Sequence, residues 1–363
     1  MTPPRSIVFT GGGSAGHVVP CLPVMDAFAA SGWAVSFVGG TDGPERQLIG
    51  ATRYPFKAIS AGKLRRYFSL RNATDVVRVV AGVWQSYRWL RATRPAIVFS
   101  KGGFVAFPVV VGAWLNRIPV VAHESDLTPG LANRLSLPFC RAVCTNFSDT
   151  RFARGPDTRF ARRALEVVHT GTPVRETLLR GDAPRGRARV GAPASSRLLL
   201  VVGGSLGSEN LNALVRAALP SFATWFVVHV CGSGRVDAAL ASTPGYRQLE
   251  YVGDGWGDVL AAADVVVSRA GANSLYELVA LAKPHVLVPL TRAASRGDQL
   301  ENARYAAARG WSRVVAEDAG VRALVAAVEE VWREREAVRA RLAAAGLADG
   351  TAAIRAVLER FAR

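Results

Sequence analysis

The stretch TGGGSAGHVV, residues 10–19, places a histidine directly behind a run of glycines. Gly11, Gly13 and Gly16 spell G-x-G-x-x-G, which is typical of a turn that binds the diphosphate of a dinucleotide. His17 falls where a helix is expected to begin, and a helix dipole disfavours the cationic form of a histidine there. A neutral imidazole can remove a proton from a hydroxyl group. The stretch therefore predicts either a cofactor turn or a phosphate-handling loop that carries a general base.

The second predicted strand bears on this choice, because a dinucleotide turn needs an acidic residue about 20 residues further on to hold a ribose. That strand ends in FVGGTDG, where Gly39 and Gly40 occupy the place of the acid and Asp42 lies beyond it. The cofactor alternative is therefore poorly supported, and the loop with a base is favoured.

The composition indicates a globular protein of two domains. With 363 residues, 50% of them hydrophobic, the chain can build two cores of about 150 to 200 residues each. The longest apolar stretch, residues 104–115, is broken by Pro108 and is shorter than the roughly 20 residues of a membrane span. The N-terminus runs directly into a strand-like segment, so no secretory signal is expected.

Neither a structural metal nor a catalytic metal is expected. The four cysteines show no C-x-x-C pairing, which fits a reducing cytoplasm and argues against structural zinc. The five histidines show no i, i+4 ligand spacing, and no D-x-D-like motif is apparent. We therefore expect metal-independent chemistry.

The net charge of +17 is concentrated in the first half of the chain. Residues 1–175 carry 22 Lys and Arg against 9 Asp and Glu, whereas the remainder carries 23 against 19. A basic N-terminal half favours anionic partners, such as nucleic acid, an acidic membrane surface or a phosphorylated ligand. A composition biased toward arginine is the alternative explanation for part of this excess.

Short apolar, β-branched runs alternate with helical stretches, and the pattern restarts after residues 181–196. Such strands predict parallel, doubly wound sheets. The expected fold class is therefore α/β, with two Rossmann-like domains facing across a cleft. We expect an N-terminal domain at residues 1–175, a C-terminal domain at 176–340, and a C-terminal helix at 341–363 that packs back on the N-terminal domain.

Glycine-rich turns follow four of the predicted strands, at residues 11–16, 102–103 and 203–207 and at Gly271. Glycine lets backbone N–H groups approach an anion closely, and a helix that begins behind the turn adds partial positive charge. Two domains that each offer such turns predict a ligand with phosphate groups.

Six motifs occur in one order from residue 10 to about residue 304: TGGGSAGHVVP, KGGFVAFP, AHESD, GTPVRE, GGSLGS and SRAGANSLYELVALAKP. Together they resemble the MurG family, the undecaprenyldiphospho-muramoylpentapeptide N-acetylglucosaminyltransferases of peptidoglycan synthesis, which have the two-domain GT-B architecture. The resemblance implies inverting transfer of GlcNAc from UDP-GlcNAc to the C4 hydroxyl of the MurNAc of lipid I, giving lipid II and UDP.

The resemblance also implies partners and a location. The partners are UDP-GlcNAc, lipid I, an anionic membrane surface, and proteins of cell-wall synthesis and division, with no nucleic acid and no cofactor. The location is peripheral, at the cytoplasmic face of the cell membrane.

The same resemblance implies roles for single residues. His17 is the base on the acceptor hydroxyl, with Glu124 as its rival. The implied donor-binding residues are Ser14, Ala15, Gly16, Arg175, Ser205, Val252, Arg269, Ser274, Glu277 and Gln299. The implied acceptor-binding residues are Gly13, Lys101, Gly102, Gly103 and Asp126. The chain departs from the residues of many members at Ala15, Phe104, Asp126 and Asp298.

Residues 62–95 form a basic stretch with interleaved aromatic residues, and their single acid is Asp75. Basic side chains near an anionic leaflet contribute about 1 kcal/mol each, and aromatic rings favour the headgroup level. Within this stretch we expect Val76, Val80 and Val83 to pack on the sheet. The predicted membrane-facing residues are Lys63, Arg65, Arg66, Tyr67, Phe68, Trp84 and Trp89.

Two alternatives remain open from the residues alone. Another GT-B glycosyltransferase that uses a UDP-sugar, or a nucleotide-sugar epimerase, would explain the glycine turns and Glu277 but does not need the basic aromatic stretch. A non-enzymatic Rossmann-like protein that binds anionic surfaces would explain the charge but leaves His17 without a role.

Overall fold

A computed structural model describes residues 4–62, 71–150, 152, 165–204, 207–291 and 297–363. The chain divides into two compact units. Unit 1 comprises Met1–Pro173 together with Asp349–Arg363, and unit 2 comprises Val174–Ala348. Each unit is built on one parallel sheet, so the predicted α/β class with two doubly wound sheets is confirmed.

The sheet of unit 1 has seven strands in the order β3-β2-β1-β4-β5-β6-β7. Its strands are β1 (Ser6–Thr10), β2 (Ala34–Gly40), β3 (Phe56–Ile59), β4 (Ile97–Ser100), β5 (Val120–Glu124), β6 (Ala142–Thr145) and β7 (Glu166–His169). The sheet of unit 2 has six strands in the order β10-β9-β8-β11-β12-β13. Its strands are β8 (Arg197–Val202), β9 (Trp225–Val230), β10 (Tyr246–Leu249), β11 (Val265–Ser268), β12 (His285–Leu287) and β13 (Arg313–Val314).

The helices connect these strands and cover the sheets. They are α1 (Leu22–Ala30), α2 (Pro44–Gly50), α3 (Arg71–Thr93), α4 (Ala106–Leu115), α5 (Leu131–Ser136), α6 (Glu176–Leu179), α7 (Ala183–Val190), α8 (Glu209–Ala218), α9 (Trp256–Ala262), α10 (Ala272–Ala280), α11 (Asp298–Ala308), α12 (Gly320–Arg333), α13 (Arg335–Ala344) and α14 (Thr351–Phe361). No helix in the described part of the chain is both long and apolar enough to cross a membrane.

Both faces of the sheet of unit 1 are buried, which explains why its central strands are apolar at successive positions. Phe9 of β1 packs on one face with Phe28 of α1 and Leu358 of α14. Val8 points to the other face, where it packs with Leu90 of α3 and residues of α4. In unit 2, β8 and β11 pack against α8 and α12 in a separate core.

The C-terminal residues form two helices in different units. The sequence interpretation placed one helix over residues 341–363, but α13 ends at Ala344 within unit 2 and α14 lies in unit 1. Gly346 has a φ of +64°, which a helix cannot continue through, and the Asp349 carboxylate accepts a hydrogen bond from Thr351 N at 3.0 Å as α14 begins.

Candidate functional site

Two glycine-rich loops of unit 1 meet where the strand order of its sheet reverses. β1 and β4 are parallel neighbours, so the loops that follow them emerge side by side. A Cβ atom on Gly103, whose φ is +83°, would lie 2.1 Å from the carbonyl oxygen of Gly12. A Cβ atom on Gly13 would lie 2.5 Å from the ring of Phe104. The loops therefore pack directly on each other, at the sheet edge where proteins of this architecture bind their ligands.

His17 lies at the end of a 3₁₀ turn, Ala15–His17, and its side chain is half-buried. The prediction that it stands in the first turn of an α-helix is wrong, because α1 begins only at Leu22. Pro20 and Pro23 have no backbone N–H to donate, and the chain passes through a second 3₁₀ turn before α1. The helix-dipole argument for a neutral His17 therefore loses its basis.

The imidazole of His17 is oriented by its own loop. The Ser14 hydroxyl lies 2.9 Å from Nδ1. When Nδ1–H donates to the Ser14 oxygen, Nε2 is the nitrogen that can accept a proton. The contact with Ser14 thus orients the ring, and the tautomer that carries its proton on Nδ1 is the one suited to general-base chemistry at Nε2.

Glu124, the rival base, ends β5 and is buried. Its Oε1 accepts a hydrogen bond from Asp126 N at 2.9 Å, and its Oε2 accepts from Asn133 Nδ2 at 2.8 Å and from Gly130 N at 3.2 Å. Burial, and next the charge of Asp126, raise the pKa of Glu124 to about 7. Both carboxylate oxygens are engaged with the loop that follows β5, so Glu124 orders this loop in the described conformation.

The helix that follows this loop, α5, supports the second glycine turn. A Cβ atom on Gly102 would lie 2.7 Å from Oδ1 of Asn133, the residue whose amide binds Glu124. Glu124, Asn133 and the Gly102–Gly103 turn therefore pack against one another. Asp126 is fixed beside them, because its backbone N–H donates to Glu124.

Lys101 lies beneath these loops and does not present its ammonium group at the surface. The side chain is 1% exposed, and Nζ lies 2.7 Å from both His123 Nδ1 and the Ser125 hydroxyl. His123 Nε2 lies 3.0 Å from the carbonyl oxygen of Gly171 and donates to it, so Nδ1 accepts from Lys101. Burial lowers the pKa of Lys101 to about 8. The expected direct charge contact of Lys101 with an acceptor diphosphate is therefore not supported by its position.

Glu45, near the start of α2, is a residue of this region that the sequence interpretation missed. Its carboxylate is fully buried and accepts hydrogen bonds from Gly13 N at 3.1 Å and from Gly40 N at 3.0 Å. The expected role of Gly13 in acceptor binding cannot use its N–H in this conformation. The available signal was the pair Gly39 and Gly40, since a Cβ on either would lie within 3 Å of the Glu45 side chain.

Two of the candidate donor residues of unit 2 lie on α10. Ser274 is exposed, and Glu277 lies one turn further along the same helix. Removal from water raises the pKa of Glu277 to about 7, while the positive charge of Arg175 opposes the increase. The Nε of Arg175 is buried, and no hydrogen-bond partner for it is found in the described ranges. The structure thus brings a carboxylate and a guanidinium of the predicted set into electrostatic contact.

Arg269 was expected near the donor diphosphate, but its guanidinium is occupied within the protein. It is 5% exposed and forms an ion pair with Glu317. It also donates to the carbonyl oxygen of Val288 at 2.9 Å and to the hydroxyl of Ser208, which caps α8. Arg269 therefore fixes the start of α8 behind the glycine turn that follows β8.

The remaining donor candidates are placed as follows. Gln299, in the first turn of α11, accepts a hydrogen bond from Leu290 N at 3.1 Å, and Asp298 precedes it. Val252 is partly buried at the start of a 3₁₀ turn, Gly253–Gly255. Ser205 lies outside the described residues.

The outward face of α3 differs from the expectation. Val76 and Val80 were expected to pack on the sheet, yet they are 55% and 63% exposed, and Trp84 in line with them is 59% exposed. Small residues take the inward face instead: a Cβ on Gly82 would lie 2.1 Å from the carbonyl oxygen of Ser60. The close approach that glycine allows leaves the valines outside.

The other predicted membrane-facing residues do not add to this exposed surface. Trp89 is partly buried and packs against the core between α3 and α4, so it does not share the exposed stripe. The remaining five, Lys63, Arg65, Arg66, Tyr67 and Phe68, lie outside the described residues.

No group of three or more His, Cys, Asp or Glu side chains that could hold a metal ion occurs in the ranges that the structure describes. Three of the five histidines are buried, and they contact protein groups: His123 as above, His229 with Tyr246 and Asn212, and His285 with Ser312.

Comparison with known proteins identifies a glycosyltransferase family that matches both halves of the chain. Residues 7–145 match the glycosyltransferase family 28 N-terminal domain, and residues 198–355 match the C-terminal domain of the same family. A UDP-N-acetylglucosamine–N-acetylmuramyl-(pentapeptide) pyrophosphoryl-undecaprenol N-acetylglucosamine transferase of Legionella pneumophila is 46% identical over 98% of this chain and 97% of its own length. The enzyme of the same name from Geobacillus thermodenitrificans is 42% identical over 99% of both chains.

Solved structures add the fold. MurG of Acinetobacter baumannii superimposes with a TM-score of 0.76 at 22% identity, covering 98% of this chain and all of that one. A UDP-GlcNAc 2-epimerase of Neisseria meningitidis reaches a TM-score of 0.67 at 13% identity, covering 98% and 99% of the two chains, so this architecture also occurs in epimerases. The predicted resemblance is confirmed by the full-length relatives, and the chain belongs to glycosyltransferase family 28.

Proposed function

We propose that this protein transfers GlcNAc from UDP-GlcNAc to the C4 hydroxyl of the MurNAc of lipid I, giving lipid II and UDP. The observation that carries the proposal is the 46% identity, over 98% of the chain, to a relative named for this transfer. The geometry supports it, since one unit holds a histidine on a glycine-rich loop and the other holds a partly buried carboxylate that the positive charge of an arginine influences.

Unit 2 binds the donor in this proposal. Glu277 accepts hydrogen bonds from the two ribose hydroxyls, which a carboxylate with two oxygens can do at once. Arg175 supplies positive charge beside it, and its buried Nε gains the partner that it lacks within the described part of the protein. The backbone N–H groups at the start of α10, close to Ser274, stabilise the charge that develops on the leaving diphosphate. Arg269 contributes by holding α8 in place rather than by touching UDP.

Unit 1 supplies the base. Nε2 of His17 takes the proton of the C4 hydroxyl while Nδ1–H remains donated to Ser14. The C4 oxygen attacks the anomeric carbon of GlcNAc on the face opposite to UDP, so one C–O bond forms as the other breaks and the configuration inverts. Glu124 keeps the loop after β5 in position, with Asp126 in it, and is not the base, because both of its oxygens accept hydrogen bonds from that loop.

The acceptor is a lipid, and α3 offers a surface for its membrane. Val76, Val77, Val80 and Trp84 form an exposed apolar stripe. Arg88, one turn beyond Trp84, lines an open cavity of about 570 Å³ with Lys57 and Trp89. An apolar stripe beside basic side chains fits the interface of an anionic leaflet. We place the protein peripherally on the cytoplasmic face of the membrane through this stripe.

Turnover of UDP-GlcNAc with a lipid I analogue, in the presence of EDTA, tests the proposal directly. We expect UDP and a disaccharide product, and we expect His17→Ala to abolish transfer while UDP still binds. UDP binding without transfer by the wild-type protein would remove the acceptor assignment. Release of ManNAc or of an epimerised sugar nucleotide would indicate an epimerase instead.

A further inference from the structure

The carboxylate of Glu45 occupies the place at the first glycine-rich loop where a ligand anion is expected. A loop of this kind normally directs its N–H groups at a phosphate. Here Oε2 of Glu45 accepts the N–H of Gly13, and Oε1 accepts the N–H of Gly40 at the end of β2. One side chain thus ties the loop after β1 to the end of the neighbouring strand.

The surrounding glycines are spaced to admit this side chain. A Cβ atom on Gly12, Gly39, Gly40 or Gly43 would lie between 2.1 and 2.9 Å from atoms of Glu45. Gly43 and Gly40 have φ values outside the positive range that requires glycine, so it is the room for the carboxylate that excludes a larger residue there. The pair Gly39–Gly40, which replaces the acid of a dinucleotide site, is explained in this way.

The loop that Glu45 holds carries the proposed base. Gly13 has a φ of +82° and is followed directly by Ser14, whose hydroxyl orients His17. Gly12, beside the carboxylate, also makes the close contact with Gly103 of the second loop. A displaced Glu45 therefore shifts both Ser14 and the junction between the loops.

We propose that Glu45 is a positioning residue for transfer: an internal anion that fixes the Gly12–Ser14 turn so that His17 meets the acceptor hydroxyl. The effect on transfer rests on the proposed function, whereas the contact between Glu45 and the loop does not depend on which reaction the protein catalyses. It also explains why this G-x-G-x-x-G loop is not a dinucleotide cradle, since the N–H of Gly13 is already engaged by an acid.

Two variants test this role: one changes the carboxylate of Glu45, and the other changes a glycine beside it. Glu45→Gln keeps the shape of the side chain, but its amide nitrogen cannot accept, so one of the two backbone N–H groups loses its partner. Gly43→Ala leaves Glu45 intact and places a methyl group against Oε1, 2.1 Å away, at a φ of −87° that alanine adopts freely. Glu359→Gln is the matched control, because Glu359 is a partly exposed residue of α14 in the same unit.

We expect kcat to fall by about 10- to 100-fold in Glu45→Gln and in Gly43→Ala, which corresponds to the loss of one buried hydrogen bond. The Kd for UDP should stay at the wild-type value, since Arg175 and Glu277, the proposed UDP-binding residues, lie in unit 2. A general loss of folded protein would instead lower the amount of UDP bound.

Amide hydrogen exchange of the peptide over residues 10–17 provides a readout that is independent of turnover. We expect faster exchange in Glu45→Gln than in the wild type and in Glu359→Gln. Wild-type exchange in Glu45→Gln, or turnover equal to that of Glu359→Gln, would overturn the inference. If the wild-type protein makes no disaccharide, the proposed function fails, and the exchange experiment still decides whether Glu45 holds the loop.

Discussion

Replacing Lys101 by methionine should remove a pH-dependent cost of folding. Burial lowers the pKa of Lys101 from 10.5 to about 8. Between these two pH values the unfolded chain still holds a proton that the folded chain has released, so the free energy of unfolding rises with pH across this window. At 1.36 kcal/mol per pH unit, the increase amounts to about 3 kcal/mol. Below pH 8 the full cost of burying the ammonium group is present.

The variant no longer buries an ammonium group, but it loses the hydrogen bonds that this group donates. Methionine has a similar length but donates no hydrogen bond, so His123 Nδ1 and the Ser125 hydroxyl lose the ammonium group that lies 2.7 Å from each. Leaving such buried groups without a partner costs about 1 to 3 kcal/mol. Near pH 7 the gain and the loss are of similar size, so the variant and the wild type should have similar stability. The free energy of unfolding of the variant, relative to that of the wild type, should therefore be about 3 kcal/mol lower near pH 10.5 than at pH 7.

Urea unfolding of the wild type, Lys101→Met and Lys57→Met between pH 7 and 10.5 measures these differences. Lys57 is an exposed lysine of β3 in the same unit, so its replacement should leave the pH dependence unchanged. A difference between wild type and Lys101→Met that stays constant over this range would refute the argument, because Lys101 would then titrate alike in the folded and unfolded chains.

Three further results are expected. Glu277→Gln should weaken UDP binding about 10-fold in calorimetry, because an amide cannot accept from both ribose hydroxyls, and unchanged affinity would contradict the donor assignment. Val80→Glu combined with Trp84→Glu should reduce sedimentation with vesicles of anionic lipid while turnover of a short-lipid acceptor is retained; loss of both together would contradict docking through α3. Leu358→Ala should lower the free energy of unfolding by about 2 to 5 kcal/mol in urea, since Leu358 is fully buried in the core of unit 1, and wild-type stability would contradict that packing.

Local patterns were enough to predict the fold. Apolar strands that end in glycine turns specify parallel sheets, and the restart of the pattern specifies two of them, because both signals are carried by neighbours in the chain. The glycine turns could be placed at strand ends for the same reason. The contacts of the candidate site could not be predicted in this way. Glu45 reaches Gly13 across 32 positions, and Arg269 reaches Ser208 across 61.

The error on α3 has a physical cause. Valines at helical spacing are usually buried, so Val76 and Val80 were assigned to the inward face. In the structure Gly82 and Ser86 occupy that face, and a Cβ on Gly112 of α4 would lie 2.9 Å from the Cβ of Ser86. Small residues let two helices approach closely, and the pattern of apolar residues alone does not distinguish this packing from a face of valines.

The position of α14 has a consequence for the order in which the protein is made. Ile354 and Leu358 complete the core around Phe28 of α1, although more than 300 residues separate them in the chain. Unit 2 is continuous, so all of its residues leave the ribosome before α14 does. Most of unit 1 is synthesised first but its core is completed last, and the apolar surface that α14 covers beside α1 stays exposed until α14 emerges. During that interval the nascent chain exposes an apolar surface of the kind that chaperones bind.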